Sequence, residues 1–455
     1  MERRLGRESA SASITRRQVL GAGIAGAVAF GLAACTPGTD EPQQREPEDD
    51  GPLVFLSSQL RPIEEAEKMR ERILADYSGK VSFVGTDVGP FIDRLRAEAV
   101  AGTGRVALVG GLHGDLASLA ADGLLRDLSD LTSELADRDF NPDFLDLARI
   151  GGGAPVYIPW MQATYLMAAR KEAVDLLPAG ADIDALSYDQ AVEWAARINR
   201  EQGGRKLGFP AANEGLLRRF LQGYTYPSFT GALNTRFKSP DAVTMWEWMK
   251  RAWTESNRES LTYAFMQEPL QVGEVWIAWD HVARLVGAFK ADPAGFVAFP
   301  APTGPRGLGY IPVLTGLAIP KSSPDPENAK RLIRYLTLPS TTEVTLREVG
   351  FFPPTTAFSL PADVGAGIRA EAAAIQQQTT SPEALPSLLP VGLKEKTYAY
   401  DDLFRAAFQA IVLQNQPIQA ALEVKSRQLQ SALDEVQARC WQPDPPSTST
   451  CRVGG

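Results

Sequence analysis

The stretch Val106-Ala107-Leu108-Val109-Gly110-Gly111, followed by Leu112-His113-Gly114-Asp115, decides the fold class of this chain. A short apolar run that stops at two glycines is typical of a buried strand. Residues Asp115 to Ala121 then follow helical spacing. Two more apolar runs, Leu53–Leu56 and Val81–Val84, come earlier in the chain, and a helical pattern follows each of them. This alternation predicts an α/β fold with a parallel sheet that is covered on both faces.

Polar side chains follow the predicted strands at the points where the strands end. Ligands of open α/β sheets bind beyond the carboxyl ends of parallel strands. A solvated loop histidine is the alternative interpretation of the histidine in this group. The residues that we expect to contact a ligand here are Ser57, Ser58, Gln59, Gly111, His113 and Asp115.

Toward the amino terminus, the chain has the pattern of an export signal. Residues 1–34 carry five arginines, including the pair Arg16-Arg17, against two glutamates, and Val19–Ala34 is uncharged. This order predicts a signal peptide of the twin-arginine type. The end of the run, Leu32-Ala33-Ala34-Cys35, resembles a lipobox, which predicts cleavage before Cys35 and its lipidation. The alternative is an uncleaved membrane helix, although a span needs about 20 apolar residues.

The composition of the chain after the leader argues against a further membrane span and against binding to nucleic acids. The net charge is −9, and it becomes −12 without the five arginines and two glutamates of the leader. An acidic chain of this kind is a poor nucleic-acid binder. Residues 35–51 are rich in Pro, Asp and Glu, which predicts a disordered linker. A length of 455 residues suggests two lobes. We therefore expect a lipid-anchored protein on the extracytoplasmic face of the cell membrane.

The few cysteines and histidines of the sequence indicate whether a disulfide or a metal site can form. Cys440 and Cys451 form an even pair in a chain with an export signal, which favours a disulfide over two free thiols. Residues 440–455 are rich in Pro, Ser and Thr and are predicted to form a disordered tail. His113 and His281 lie far apart in sequence. No zinc-site spacing is present, and the sequence predicts neither a metal nor a cofactor.

Several short motifs follow one another after the third predicted strand. They are Ala120–Leu128, Ala154–Pro159, Ser187–Gln190, Phe299–Pro302, Gly316–Lys321 and Gly350–Pro353. Their order resembles that of the sugar-binding lipoproteins of ATP-binding-cassette importers, the family of maltose-binding protein. The chain departs from that family at Ala169-Arg170, where Tyr-Asn is usual. It departs again at Asp280-His281-Val282, where a Gly-Pro-Trp or Gly-Ser-Trp is usual.

The resemblance implies a two-lobed periplasmic-binding-protein fold of type II. The lobes would be joined by crossing strands at a hinge, with the ligand in the cleft between them. The N-terminal lobe would comprise residues 52–158 and 300–315. The C-terminal lobe would comprise residues 159–299 and 316–439. Closure about such a hinge traps the ligand.

The resemblance also implies where the ligand contacts lie. Sugars need aromatic platforms for their C–H faces and a few fixed polar groups for their hydroxyls. Two alternatives stay open, which are that Trp160 packs beneath the hinge and that Glu214 is a plain surface residue. The residues expected at the cleft are Trp160, Gln162, Tyr165, Glu214, Trp279, Asp280, Gly316 and Tyr400.

The function implied by the family is capture of a carbohydrate and its delivery to the permease subunits of an importer. The chain would act as a monomer and not as an enzyme. A receptor or adhesion lipoprotein on the same fold is one alternative. A phosphorylated solute is another, for which Arg61 and Arg170 are the nearest cations in sequence. A glycosidase would need paired carboxylates, and no specific pair is indicated.

Overall fold

The computed structural model describes residues 51–60, 62–150, 152–356 and 360–454. The predicted signal peptide, the lipidation site at Cys35 and the linker up to Asp50 lie outside these ranges. Within them, no helix combines the length and the apolar character that crossing a membrane requires.

The strands form two main sheets and a short two-stranded ladder. In chain order they are β1 (Leu53–Ser57), β2 (Val81–Gly85), β3 (Val106–Leu112), β4 (Ile158–Ala163), β5 (Tyr165–Arg170), β6 (Leu207–Gly208), β7 (Ile277–His281), β8 (Phe296–Phe299), β9 (Leu308–Tyr310), β10 (Val313–Ala318) and β11 (Ala384–Pro386).

The helices cover these sheets and extend the carboxyl-terminal half. In chain order they are α1 (Ile63–Lys68), α2 (Val88–Ala101), α3 (His113–Ala121), α4 (Ser129–Glu134), α5 (Pro142–Ala148), α6 (Tyr188–Gln202), α7 (Leu217–Phe220), α8 (Tyr226–Thr230), α9 (Pro240–Glu255), α10 (Gln267–Gln271), α11 (Val282–Ala291), α12 (Pro326–Leu336), α13 (Pro339–Val349), α14 (Ala366–Thr380), α15 (Thr397–Phe408) and α16 (Ile418–Val436).

The first sheet has the strand order β2-β1-β3-β10-β4. β1 runs parallel to β2 and β3, as the alternation of strands and helices predicts, whereas β10 runs antiparallel to β3 and β4. Its core is built from the apolar runs of the sequence, and Phe55, Val106 and Leu108 are fully buried. α12 packs against β3, and α13 packs near α1 on the same lobe.

The second sheet has the order β6-β7-β5-β8. β5 is antiparallel to β7 and β8, and β6 is parallel to β7. α11 and α14 pack together on this lobe, and α6 packs on α9. α6 starts at a capping box in which Ser187 and Gln190 satisfy each other's backbone N–H groups. Buried tryptophans such as Trp194 and Trp246 fill the core.

Connections between the two sheets meet at a hinge. β4 and β5 are separated by Thr164 alone, and residues Ile311 and Pro312 lead from β9 into β10. The Thr164 hydroxyl donates to the Ile311 carbonyl at 2.8 Å, so two connections are hydrogen-bonded to each other. A third connection follows α13, where Phe352 pairs with Gln162 of β4. These contacts fix the connections side by side.

The lobe boundaries differ from those expected from the sequence. The predicted boundaries after residues 158 and 315 fall inside β4 and β10, and both strands lie wholly in the first sheet. The reason is that the first connection is made at Thr164, after β4 has ended. Residues beyond 316 also contribute α12 and α13 to the first lobe, because these helices pack on β3 and α1.

The prediction of a disordered tail is wrong for residues 440–454. The structure joins Cys440 to Cys451 in a disulfide, the pairing that the sequence favours, and Cys451 is fully buried. Asp444 accepts hydrogen bonds from the backbone N–H groups of residues 233, 234 and 235 at 3.2, 2.8 and 2.8 Å. Trp441 packs on Tyr400, with ring centroids 5.5 Å apart. A buried carboxylate and a ring hold the segment in place despite its polar composition.

Candidate functional site

The first wall of the candidate site is formed by the ends of β1 and β3. The Ser58 N–H donates to the Gly110 carbonyl at 2.9 Å, and the Ser58 hydroxyl donates to Asp115 Oδ2 at 2.8 Å. Gly111 lies opposite Gly316 of β10. The structure therefore brings the sequence-predicted residues of this edge together, with Gln59 at its half-buried rim.

His113 stands at the start of α3 and faces a cavity. Its Nδ1 lies 3.0 Å from the Tyr157 hydroxyl. Burial lowers the pKa of His113 to about 4, so the ring is neutral at pH 7. The neighbouring cavity has a volume of about 420 Å³, and Asp146, Arg149 and Val391 also line it. Val391 belongs to the segment before α15, which brings the second lobe against α3.

The floor of the site is the hinge, where Gln162 has a structural role. Gln162 and Phe352 exchange backbone hydrogen bonds of 2.8 Å in both directions. The Gln162 side chain donates to the Pro353 carbonyl at 2.7 Å. These bonds tie β4 to the segment after α13, and the half-buried amide is left at the edge of the floor.

The second wall begins at Tyr165, the first residue of β5. Its ring stacks on Trp279 with centroids 4.8 Å apart and meets the edge of His281 at 5.0 Å. His281 Nδ1 accepts the N–H of Ala283, which leaves Nε2 as the protonated nitrogen of a neutral ring. Burial, and then Arg284, lower the pKa of His281 to about 3. His281 also contacts Phe351 of the hinge at 5.6 Å.

A charged cluster adjoins this wall, and sequence reasoning did not find it. Arg219 on α7 donates two hydrogen bonds to Asp401 on α15, at 2.9 and 2.8 Å, and Gln222 donates a third at 3.0 Å. Arg218 approaches the same carboxylate at 3.4 Å. The charges of both arginines and of Asp401 act on the Tyr165 hydroxyl, although burial dominates and raises its pKa to about 12. We call Arg218, Arg219, Gln222 and Asp401 the arginine cluster.

One ion pair joins the two lobes at the mouth of the site. Arg284 on α11 donates to Glu65 on α1 at 2.8 Å. The same guanidinium lies over the Phe265 ring, 4.4 Å from its centroid, and that ring is exposed. On the other side, the backbone of Pro390 lies against Gly114 of α3, where a Cβ atom would clash. The lobes therefore touch at both edges of the site.

The structure corrects the expected position of three aromatic residues. Trp160, Trp279 and Tyr400 are 1%, 0% and 0% exposed. Trp160 lies in the first sheet before the hinge and packs on Phe55 at 5.6 Å, so it is a core residue. Trp279 supports Tyr165 from below. The Tyr400 hydroxyl donates to Asn234 at 2.7 Å, and its ring faces the interior of the second lobe.

Four further expected residues are also accounted for. Asp280 is buried and accepts the N–H groups of Met266 and His281, each at 2.7 Å, so it organises the loop beneath the wall. Ser57 is buried behind Ser58 and accepts the N–H of Gln59 at 3.0 Å. Gly316 is buried beneath Tyr157. Glu214 is exposed on the loop that precedes α7.

The described residues hold no group of three or more His, Cys, Asp or Glu side chains that could bind a metal ion. What the walls share is a set of half-buried polar side chains around a hinge. These side chains are Gln59, His113, Gln162, Arg218, Arg219, His281 and Arg284. Such a set can enclose a polar solute and meet it with hydrogen bonds.

Residues 68–372 match the family described as bacterial extracellular solute-binding protein. The chain belongs to this family. Members of the family are binding proteins, which agrees with a site built from hydrogen-bonding groups. Comparison with curated proteins gives no match.

Solved structures of similar fold carry different ligands. The maltose-bound MalE3 of T. maritima is 19% identical, covers 84% of this chain and 99% of its own, and has a TM-score of 0.66. MalE of Xanthomonas citri is 17% identical, with 85% and 98% covered and a TM-score of 0.66. UgpB of Mycobacterium tuberculosis, in complex with glycerophosphocholine, is 21% identical, with 85% and 99% covered and a TM-score of 0.64. These likenesses establish the two-lobed fold of this solute-binding protein.

Proposed function

We propose that this solute-binding protein captures a carbohydrate between its lobes and delivers it to an ATP-binding-cassette importer from a lipid anchor. The observation that carries the proposal is the hinge at Thr164 and Ile311, with polar strand ends in the lobe before it and a polar wall in the lobe after it. A hinged site can trap a solute and present a closed form to a permease. The sugar-bound structures of similar fold support the ligand class.

The ring that covers a sugar face is Tyr398 in this proposal, and it replaces the buried Tyr400. Tyr398 is 60% exposed and precedes Asp401 by three residues on α15, so the two side chains share a helix face. The segment just before this helix contacts the first lobe, because Lys394 lies 4.0 Å from Asp122. We therefore assign this exposed ring to the edge of the proposed site.

A panel of neutral saccharides tests the ligand class by thermal unfolding. A sugar that binds the folded protein should stabilise it by about 2.7 kcal/mol at a hundredfold excess over its dissociation constant. Tyr398→Ala should weaken that binding while the melting temperature of the unliganded protein stays unchanged. A panel that gives no shift, beside a clear shift from an amino acid, would contradict the carbohydrate proposal.

Lipid anchoring rests on the sequence Leu32-Ala33-Ala34-Cys35, which lies outside the described residues. Diacyl attachment at Cys35 would hold the protein at the membrane, since each buried methylene contributes about 0.8 kcal/mol. Cys35→Ala should release the protein from membranes or leave the precursor uncut. A variant that fractionates and migrates like the parent would contradict the anchor.

Delivery to an importer is separated from a receptor or adhesion role by uptake. Cells that lack the protein should lose uptake of the solute that it binds, and the full-length chain should restore this uptake. Normal uptake together with lost surface attachment would favour the receptor alternative.

A further inference from the structure

The arginine cluster contains two cations and one carboxylate, and they are not equally paired. Arg219 makes a two-pronged contact with Asp401 at 2.9 and 2.8 Å. Arg218 reaches that carboxylate through Nε at 3.4 Å, and its Nη1 donates to the Gly215 carbonyl. Asp401 is also occupied by Gln222 at 3.0 Å. Its oxygens are therefore committed mainly to Arg219 and Gln222.

Neighbouring carboxylates do not balance the second cation. Asp402 pairs with Arg405 at 2.9 Å, and Arg405 also donates to Asn213. Asp280 is engaged with backbone N–H groups beneath Tyr165. Glu214 is exposed on the loop, and in the part of the chain that the structure describes it forms no ion pair with Arg218. The cluster thus keeps a surplus positive charge.

This surplus charge is partly desolvated. The side chains of Arg218 and Arg219 are 23% and 12% exposed, and that of Asp401 is 5% exposed. Burial lowers the pKa of Arg218, and the positive charge of Arg219 lowers it further. A guanidinium in such a position is costly to keep unless a further anion meets it.

The cluster lies where a solute would bind. Tyr224, two residues after Gln222, donates from its hydroxyl to the Tyr165 carbonyl at 2.8 Å. Tyr165 is the first residue after the hinge, and its ring contacts His281 at 5.0 Å. Asp401 shares a helix face with the exposed Tyr398. Two other arginines near the hinge are committed elsewhere. Arg170 donates to the carbonyls of residues 270 and 271, and Arg284 is paired with Glu65.

We propose that the solute carries an anionic group, a phosphate or a carboxylate, and that Arg218 receives it while Arg219 and Asp401 hold the guanidinium pair in place. This inference rests on the proposed solute-binding function, and the ligand class to which it points is an acidic sugar or a related polyol phosphate. A guanidinium binds the oxygens of both groups with charge-assisted hydrogen bonds. Tyr398 and the polar first wall would then contact the hydroxylated remainder of the solute.

Calorimetry with matched pairs of probes tests the proposal. The pairs are glucose with glucose 6-phosphate, glucose with glucuronate, and glycerol with glycerol 3-phosphate. In at least one pair the acidic member should bind about ten- to hundredfold more tightly, as expected for a hydrogen bond to a charged group. If a phosphate probe binds more tightly than its neutral partner, the anionic group is a phosphate. If glucuronate binds more tightly than glucose, the group is a carboxylate. The gain should shrink as salt is raised.

Arg218→Gln should abolish the preference for the acidic member, so that the two members of a pair bind with similar affinity. Arg405→Gln is the matched control, because Arg405 pairs with Asp402, and it should keep the preference. The unliganded Arg218→Gln variant should melt no lower than the parent, whereas Arg219→Gln should melt lower because it removes the two shortest hydrogen bonds of Asp401. This readout separates ligand binding from a structural role.

Three results would overturn the inference. Equal binding of neutral and acidic members would exclude an anion subsite while leaving the solute-binding proposal intact. A preference for acids that persists in Arg218→Gln would place the subsite elsewhere. Binding of none of these probes, beside a clear thermal shift from a neutral saccharide, would exclude the anion subsite and leave the carbohydrate proposal intact, whereas a shift only from a solute that is neither acidic nor a carbohydrate would exclude both.

Discussion

The two walls of the site are built by different means. The first wall consists of strand ends and small residues, and its main contacts are Ser58 with Gly110 at 2.9 Å and Ser58 with Asp115 at 2.8 Å. The second wall consists of stacked rings and paired charges, with Tyr165 on Trp279 and Arg219 on Asp401. The first depends mostly on backbone position, and the second depends on side chains that come from distant parts of the chain.

This difference suggests a division of labour between the walls. A wall of strand ends and hydroxyls offers hydrogen bonds that many hydroxylated solutes could use. A wall with a surplus positive charge and an exposed ring would discriminate among these solutes, because it binds those with an anionic group or a C–H face more tightly. The variants below test how strongly the contacts within each wall stabilise the folded protein.

Removing the tryptophan beneath either wall should have the largest effect on stability. Trp160→Ala and Trp279→Ala should each lower the free energy of unfolding by about 3–5 kcal/mol, because both rings are fully buried. Chemical denaturation measures the loss. Tyr398→Ala is the control with an exposed ring, and it should leave stability unchanged. A Trp160→Ala protein that stays as stable as the parent but loses affinity would show that Trp160 contacts the ligand after all.

The prediction of the fold worked where the pattern is local. The runs at 53–56, 81–84 and 106–109 became β1, β2 and β3, since alternation of strands and helices is visible in short windows. The helices α13 and α14 were not predicted. Trp160 was misplaced because the sequence put the hinge at residue 159, and the actual connection is at Thr164. A shift of five residues keeps the ring within the first sheet.

The arginine cluster could not be predicted, since Arg219 and Asp401 lie 182 residues apart and no local pattern links them. The burial of Tyr400 could have been predicted. Tyr400, Phe404 and Ala407 are spaced as one buried helix face, and Tyr398 falls outside it. The helical spacing of the apolar residues in α15 therefore indicates that Tyr400 is buried and that Tyr398 is exposed.

Asp401→Asn should be the next largest perturbation, because it removes the carboxylate of the second wall. The guanidinium groups of Arg218 and Arg219 would then lie side by side without a carboxylate between them. The free energy of unfolding should therefore fall by about 3 kcal/mol. Asp402→Asn is the matched control, because that carboxylate is exposed and its pair with Arg405 contributes at most about 1 kcal/mol. Equal losses from both variants would mean that the cluster is a surface ion pair.

The second wall should also give stability a pH dependence through Asp280. Burial raises the pKa of Asp280 to about 7, above its value of about 3.9 in an unfolded chain. Between these values the folded state holds a proton that the unfolded state has lost, so stability falls as pH rises from 4 to 7. His113 and His281 act in the opposite direction, because burial lowers the pKa of each. The contribution of these two histidines to the pH dependence cancels when the parent and the Asp280→Asn variant are compared at the same pH.

Relative to Asp280→Asn, the parent should therefore lose about 2 kcal/mol of stability between pH 5 and pH 8. Denaturation curves at several pH values measure this difference. His113→Gln serves as the counterpart in the first wall, and the parent should gain stability over it between pH 4 and 6.5. A difference between parent and Asp280→Asn that does not vary with pH would show that Asp280 stays charged in the folded protein.

The smallest expected effect belongs to the contact that joins the walls, Glu65 with Arg284 at 2.8 Å. Both side chains are partly exposed, so their coupling should be about 0.5 kcal/mol and should weaken with salt. A double-mutant cycle with Glu65→Gln and Arg284→Met isolates this coupling from the stacking of Arg284 on Phe265, because the stacking is lost in both variants that lack the arginine. Glu67→Gln, on the same helix, is the control and should show no coupling to Arg284. A coupling near zero at low salt would mean that this ion pair does not help to hold the walls together, whereas a coupling well above 1 kcal/mol would mean that it sets the balance between open and closed lobes.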